Sequence, residues 1–246
     1  MLKIEKFVLP SPEQWEIVME GMRNPMNSWD RMDSYITNVE DYEILETGNS
    51  KFIMGDNDYD LAKRLRNGGS VHAKYRRMIP VFVTITAPLY WWKEFDTYKV
   101  GTVANSCSTM HKIHSKEFTL EDFSCEHLIG NDTVRDLIYD EIMVPDEEQD
   151  GNIINWAPID ILEFTIKALN IYRKAFLETK DKKYWRQMTQ LLPSSYNQKR
   201  TVMLNYEVLS NIYKSRKDHK LDEWHTFCHW IEELPYSELI TGYEEE

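Results

Sequence analysis

Glycine, proline, cysteine and cations are all scarce in this chain. Nine glycines and nine prolines in 246 residues leave no Gly-, Pro- or Ser-rich linker, so residues 1–246 read as one domain. Three cysteines, Cys107, Cys125 and Cys228, are odd in number and form no CxxC pair, which excludes a disulfide framework. Lys and Arg total 29 against 41 Asp and Glu, a net charge of -12. That is the wrong sign for a general binder of nucleic acid polymers. A pocket for a small anion needs only a few local cations, so that class stays open. No apolar run nears the roughly 18 residues of a membrane span. The stretch from Met1 to Trp15 is too polar and charged for a secretory signal. A cytoplasmic protein with no membrane partner is expected.

Several motifs are missing as well. The only glycine pair in a loop setting, Gly68-Gly69, belongs to no GxGxxG or GxxxxGK[ST] pattern, and no GxSxG occurs. Asp56, Asp58 and Asp60 begin a calcium-loop spacing, but its sixth and twelfth positions are Leu61 and Asn67. These acids read instead as a helix start. His225, Cys228 and His229 fall at i, i+3 and i+4, and His111 and His114 at i, i+3, with no clear fourth ligand nearby. They read as packing residues, and no metal is expected.

What the chain has is apolar and aromatic mass. Hydrophobic residues make up 42% and aromatics 13%, enough for a sizeable core. Ser11 and Pro12 predict the start of a helix whose apolar face includes Ile17 and Met22. A second helix is predicted over Tyr59–Asn67, ended by Gly68-Gly69. Met78–Pro88 reads as an interior strand, with Val81, Val83 and Ile85 alternating with Phe82, Thr84 and Thr86. Thr86 and Pro88 then mark a helix over Leu89–Lys99, weakened by Gly101. Weaker strand signals lie between 35 and 55 and between 113 and 130. From about Asn155 the pattern is helical, with Ile159, Leu162, Ile166, Leu169 and Phe176 on one stripe. Helices are also predicted over Arg200–Lys217 and Leu221–Leu234, and the last residues, Gly242–Glu246, read as a solvated tail. No βαβ repeat appears. The class is α+β, a mixed sheet flanked by helices with a helical C-terminal half.

Two features call for a functional account. Phe95–Met110, FDTYKVGTVANSCSTM, is short on charge and rich in small hydroxyl residues, directly after a hydrophobic strand and an aromatic helix. Asn205 and Arg216 stand eleven apart. On one continuous helix they project from the same face about 16 Å apart, placed to contact an extended anionic ligand. The competing account is a half-exposed helix with incidental polar residues.

Spacing then adds a resemblance. The flavin-dependent thymidylate synthases carry the signature R-H-R-x-x-S-x-x-x-x-S-x-R after an Ala-Pro and Gln-Trp lead-in. They also carry a later Leu-Pro, an Asn twelve residues on and an Arg eleven beyond that. Here Ala87-Pro88, Leu192-Pro193, Asn205 and Arg216 fall at those places, and the chain resembles that family over about residues 78–110 and 186–235.

The resemblance implies a flavin and nucleotide loop at Phe95–Met110, which explains its polarity. It implies FAD against Tyr98, Lys99, Thr102 and Asn205. It places a pyrimidine nucleotide against Glu94, Asn105, Cys107, Thr109 and Arg216. The implied activity is methylation of dUMP, or of a related pyrimidine nucleotide, with methylenetetrahydrofolate and NADPH, in a homotetramer. The signature itself is substituted: Thr97, Tyr98 and Lys99 stand for Arg-His-Arg, Thr102 and Cys107 for the serines, and Thr109 for the final Arg. Glu94 replaces the lead-in Gln, and Asn105 a Glu. Thr189 falls where an Arg is expected before Leu-Pro, with Arg186 one turn earlier. Lys99 keeps a charge without the planar fork, while Thr97 and Thr109 carry none. Lys112, Lys199 and Arg200 are the candidates to compensate. Cys107 reads as a serine-like side chain, since no base partner is evident. The alternative is a catalytically degenerate member that binds nucleotide or serves in assembly. No catalytic residue is assigned.

Overall fold

The computed structural model describes residues 1–38, 50–130 and 157–242. In chain order its strands and α-helices are β1 (Lys3–Val8), α1 (Pro12–Arg23), β2 (Tyr35–Asn38), β3 (Ser50–Ile53), α2 (Asp56–Asn67), β4 (Pro80–Pro88), α3 (Leu89–Phe95) and β5 (Val103–Ser106), then α4 (Pro158–Thr179), α5 (Lys182–Leu191), β6 (Asn197–Asn205), α6 (Tyr206–Arg216), α7 (Asp222–Glu232) and α8 (Glu238–Thr241). The α+β class is as expected. A four-stranded sheet has the order β1-β4-β6-β5, and β2 and β3 form an antiparallel pair with Tyr35 opposite Ile53. The chain divides into two compact units, each built from separated segments.

One unit holds Leu2–Thr86, Glu94–Asn105 and the chain from Lys199 on. Its sheet centres on β4, where Val81, Val83 and Ile85 are fully buried while Phe82 is half exposed. β1 runs antiparallel to β4, pairing Ile4 with Ile85 and Val8 with Phe82. Helix α1 starts as its sequence dictates. The Ser11 side chain accepts from the Gln14 amide, and Gln14 accepts back from the Ser11 amide, a reciprocal cap. Its buried face is Trp15, Val18, Met19 and Met22. Ile17, expected on that face, is 60% exposed, because the burial follows the i, i+3, i+4, i+7 set that starts at Trp15. Trp15 stacks on Phe52 and meets Tyr206 and Tyr236 edge-on. Helix α2 begins at Asp56, three residues before the predicted start, because the Asp33 carboxylate accepts from the Asn57 and Asp58 amides and caps it.

The predicted helix over Arg200–Lys217 is corrected in its first third. Residues 197–205 are the strand β6, with Gln198, Val202 and Leu204 buried and Lys199 and Thr201 exposed. That period of two belongs to a strand beside β4, where the Thr84 and Thr201 hydroxyls meet at 2.9 Å. The helix expected over Leu89–Lys99 stops at Phe95. The Thr97 hydroxyl donates to the Glu94 carbonyl and ends the ladder there.

The other unit holds Met1, Ala87–Lys93 and Ser106–Gln198. Helices α4 and α5 pack with Ile113, Phe118 and Phe123 around Leu162, Ile166, Leu169 and Met188. Leu162, Ile166 and Leu169 of the predicted stripe are buried, while Ile159 and Phe176 are half-buried. No strand forms among the described residues 113–130. Phe123 makes a single bridge to Tyr196, after a short turn over Leu120–Asp122 that Thr119 and Asp122 cap. The Asn170 amide instead satisfies the backbone of Phe118, accepting from its N–H and donating to its carbonyl. The predicted helical start at Asn155 and the tail residues 243–246 lie outside the described residues. Among the described residues no helix is long and apolar enough to cross a membrane.

Candidate functional site

The stretch that opened the functional question is a surface segment. After α3, the chain turns at Tyr98 and again at Thr102, whose amides donate to the Phe95 and Lys99 carbonyls. Gly101 sits at φ +80°, a left-handed conformation that glycine adopts without penalty. A side chain there would also approach the Asn205 Nδ2 and the Val208 Cγ2 to 3.1 Å. The strand β5 that follows is exposed along its length, and Lys99, Val100 and Asn105 are exposed with it.

Helix α6 carries the two spaced residues at its ends. Asn205 lies outside the helix as its N-cap, its Oδ1 accepting from the Val208 amide at 3.0 Å. Arg216 is the last helical residue. The single-helix geometry is therefore corrected at one end: Asn205 is the N-cap, outside the helix that Arg216 closes. The Asn205 Nδ2 makes no hydrogen bond to a described residue, and the Thr102 Oγ1 is buried without one. Two unspent polar groups thus flank Gly101.

Arg216 meets Glu94 and Tyr98. Its guanidinium donates to the Glu94 Oε2 at 2.7 Å and to the Tyr98 hydroxyl at 3.0 Å. It also lies 4.8 Å from the Trp224 ring centroid and 5.7 Å from that of Tyr98, a cation held between two aromatic faces. The Trp224 Nε1 donates to the same Glu94 oxygen at 2.9 Å, and the His219 Nε2 stands 3.4 Å from it. Helix α3 brings Glu94, the following turn Tyr98, the end of α6 Arg216 and the first turn of α7 Trp224. Glu94 supplies the charge that balances Arg216, so the guanidinium is oriented and already paired.

Of the predicted residues, Glu94, Tyr98 and Arg216 form this cluster, and Thr102 and Asn205 adjoin Gly101. Lys99 and Asn105 lie on the exposed turn and strand. Cys107 and Thr109 fall in the other unit. There Cys107 is exposed, and its carbonyl accepts from the Gln198 side chain at 2.8 Å. Two of the three candidates to replace lost cations are engaged: Lys199 pairs with Glu5, and Arg200 with Asp96 at 2.7 Å. Lys112 is exposed. Trp224 and His219 had no sequence signal as site residues. Trp224 reads as one more aromatic of an amphipathic helix, and only the fold sets it beside Arg216. His229 pairs with Glu232, and His225 with Asp222. Among the described residues no group of three or more His, Cys, Asp or Glu is placed to hold a metal.

Comparison with solved structures decides the architecture. A crystal structure of thymidylate synthase X (ThyX) from Helicobacter pylori, solved with FAD and dUMP, matches with a TM-score of 0.57 and 15% sequence identity, over 98% of this chain and 97% of that one. A second structure of Helicobacter pylori ThyX, complexed with FAD and dUMP, matches with a TM-score of 0.56 and 14% identity over 99% of each chain. The chain has a ThyX-like fold. No family model and no curated protein sequence matches it. The match extends over nearly the whole chain.

Proposed function

We propose that this protein binds FAD and a pyrimidine nucleotide, and that it methylates dUMP or a related pyrimidine nucleotide. The observation that carries the reading is the meeting of Glu94, Tyr98 and Arg216 in a chain whose fold is ThyX-like almost end to end. The residues around Gly101 fit a flavin. The free Asn205 amide donor and the buried, unpartnered Thr102 hydroxyl offer hydrogen bonds, and Lys99 offers a charge. Bound flavin would supply hydride transfer fed by NADPH, with methylenetetrahydrofolate as the one-carbon source. Tyr98, Lys99, Thr102 and Asn205 would hold it. Arg216 would orient the nucleotide phosphate, with Glu94 giving way to it, and Asn105, Cys107 and Thr109 would border the nucleotide. A homotetramer, with cations arriving from neighbouring copies, is part of this reading.

The test is an absorbance spectrum of the full chain incubated with FAD and desalted, followed by a tritium-release assay on dUMP. Retained flavin bands that shift with dUMP, and NADPH-dependent release, are expected. A colourless protein would overturn the flavin assignment. Bound flavin without turnover of any pyrimidine monophosphate would overturn the reaction.

A second reading rests on its own observation. Thr97 and Thr109 carry no charge, and Arg216 is paired internally with Glu94. A catalytically degenerate ThyX-like protein that binds nucleotide or serves in assembly would look this way. It predicts oligomers that stay colourless with FAD.

A further inference from the structure

A cationic cavity lies on another flank of α6. Its volume is about 450 Å³, and its lining includes Arg66, Arg76, Ser210, Asn211, Lys214 and Lys217. Ser210, Lys214 and Lys217 come from α6 or its end at i, i+4 and i+7, a single stripe. No Asp or Glu is among the described residues that line it. In a chain of net charge -12, Arg66, Arg76 and Lys214 converge on one cleft with no acid among its described lining residues.

Arg76 is the telling residue. It is 93% buried by its 7% exposure, yet forms no ion pair with a described carboxylate. Its donors are only partly used: Nη1 donates to the Ser210 hydroxyl at 2.9 Å and the Leu239 carbonyl at 3.2 Å, while the buried Nε has no partner among the described residues. Arg66 donates to the Glu238 carbonyl at 2.7 Å and the Gly242 carbonyl at 3.3 Å. These carbonyls close the end of α8 and satisfy N–H groups, but a neutral carbonyl does not neutralise a guanidinium. A buried charge without a counter-charge is costly. Burial holds the Arg76 guanidinium below the ordinary arginine range, and the charges of Arg66 and Arg77 work in the same direction, against Tyr75 and Glu207. Glu207 itself is engaged by Arg77. An anion in the cleft removes the imbalance. The planar forks of two arginines and the mobile ammonium of Lys214 suit a phosphoryl group, whose several oxygens accept from all three.

We infer that the Arg66–Arg76–Lys214 cleft is a binding site for the phosphoryl group of a small ligand, separate from the Glu94–Arg216 cluster. The site stands whether or not the cluster binds nucleotide. The probes are inorganic phosphate and pyrophosphate, titrated calorimetrically into the full chain in chloride buffer. Saturable binding is expected. Lys214→Glu should weaken it about tenfold or more, the loss of one charge-assisted contact with repulsion added. Lys214→Arg should keep it within about threefold. Lys214 is exposed, so its variants fold; Arg66→Gln, at the half-buried rim, is a second variant expected to weaken binding. Two outcomes would overturn the site: no saturable heat with either probe, or binding indifferent to both Lys214→Glu and Arg66→Gln. Each would leave Arg66 and Arg76 as caps of α8 alone.

Discussion

Glu94 shows how much one side chain decides. Its Oε2 takes the Arg216 guanidinium and the Trp224 indole N–H together, so the cluster's one guanidinium is held by an internal counter-charge. Replacing the carboxylate by an amide keeps an oxygen acceptor for both donors and removes the charge. Glu94→Gln is therefore expected to tighten dUMP binding about fivefold, the scale of a half-exposed ion pair worth up to ~1 kcal/mol. Isothermal titration reads it, and unchanged affinity would mean that Arg216 does not meet the phosphate. The three cysteines separate by burial in the same way. Cys107 is exposed, whereas burial, helped by Glu232 and Asp218, pushes the Cys228 thiol up to about 12. An aromatic disulfide reagent at pH 8 should label Cys107 within seconds to minutes and Cys228 only on unfolding. Fast labelling of Cys228 in native protein would contradict that packing.

At the scale of elements, α6 and the turn before β5 depend on each other. Asn205 caps α6 through Oδ1, and Gly101 lies close against the same side chain. Asn205→Ala should cost about 1 kcal/mol for the lost cap. Gly101→Ala should cost about 1–2 kcal/mol, because a Cβ meets both a positive φ and neighbours at 3.1 Å. Urea melts measure both. If Asn205 also holds flavin, its Ala variant should lose FAD retention beyond what the stability loss explains, which the desalting spectrum at low temperature separates. Residues 205 and 101 adjoin, so the double variant should not show the sum of the two costs.

For the whole molecule, acid stability turns on a buried pair. Arg23 and Asp58 are 3% and 0% exposed, and their side chains meet directly. Burial pushes the Asp58 carboxyl up, but the Ser34 hydroxyl, Arg23 and the Ser34 amide outweigh it and hold the carboxyl below its usual 3.8. A carboxyl with a depressed folded-state pKa contributes stability that is full above the unfolded pKa and is lost as pH falls through the folded one. Stability should thus hold above about pH 5 and decline below about pH 4. Asp58→Asn should flatten that decline and cost about 3–5 kcal/mol at pH 7, since it strands a buried guanidinium. Denaturant midpoints against pH measure both, and an unaltered acid limb in Asp58→Asn would remove Asp58 from the account. Light scattering of the purified chain tests the four-copy assembly, with a monomer as the contrary result.

The sequence by itself determined the elements whose signals are local. Ser11 and Pro12 specified the start of α1, the alternation from Val81 to Ile85 specified β4, and the apolar stripe from Leu162 to Leu169 specified α4. The spacing of Leu192-Pro193, Asn205 and Arg216 also carried the ThyX-like fold, which the comparison of structures matches at only 15% identity. Tertiary structure decided what local pattern left degenerate. Residues 197–205 satisfy a helical pattern almost as well as a strand, and only the free edge of β4 makes the strand the better home for their backbone hydrogen bonds. The pairing of Glu94 with Arg216 spans 122 positions, and no periodicity reaches that far. The convergence of Arg66, Arg76 and Lys214 in one cleft, with no acid among its described lining residues, is likewise a product of packing, because charges distant along the chain are neighbours only after folding.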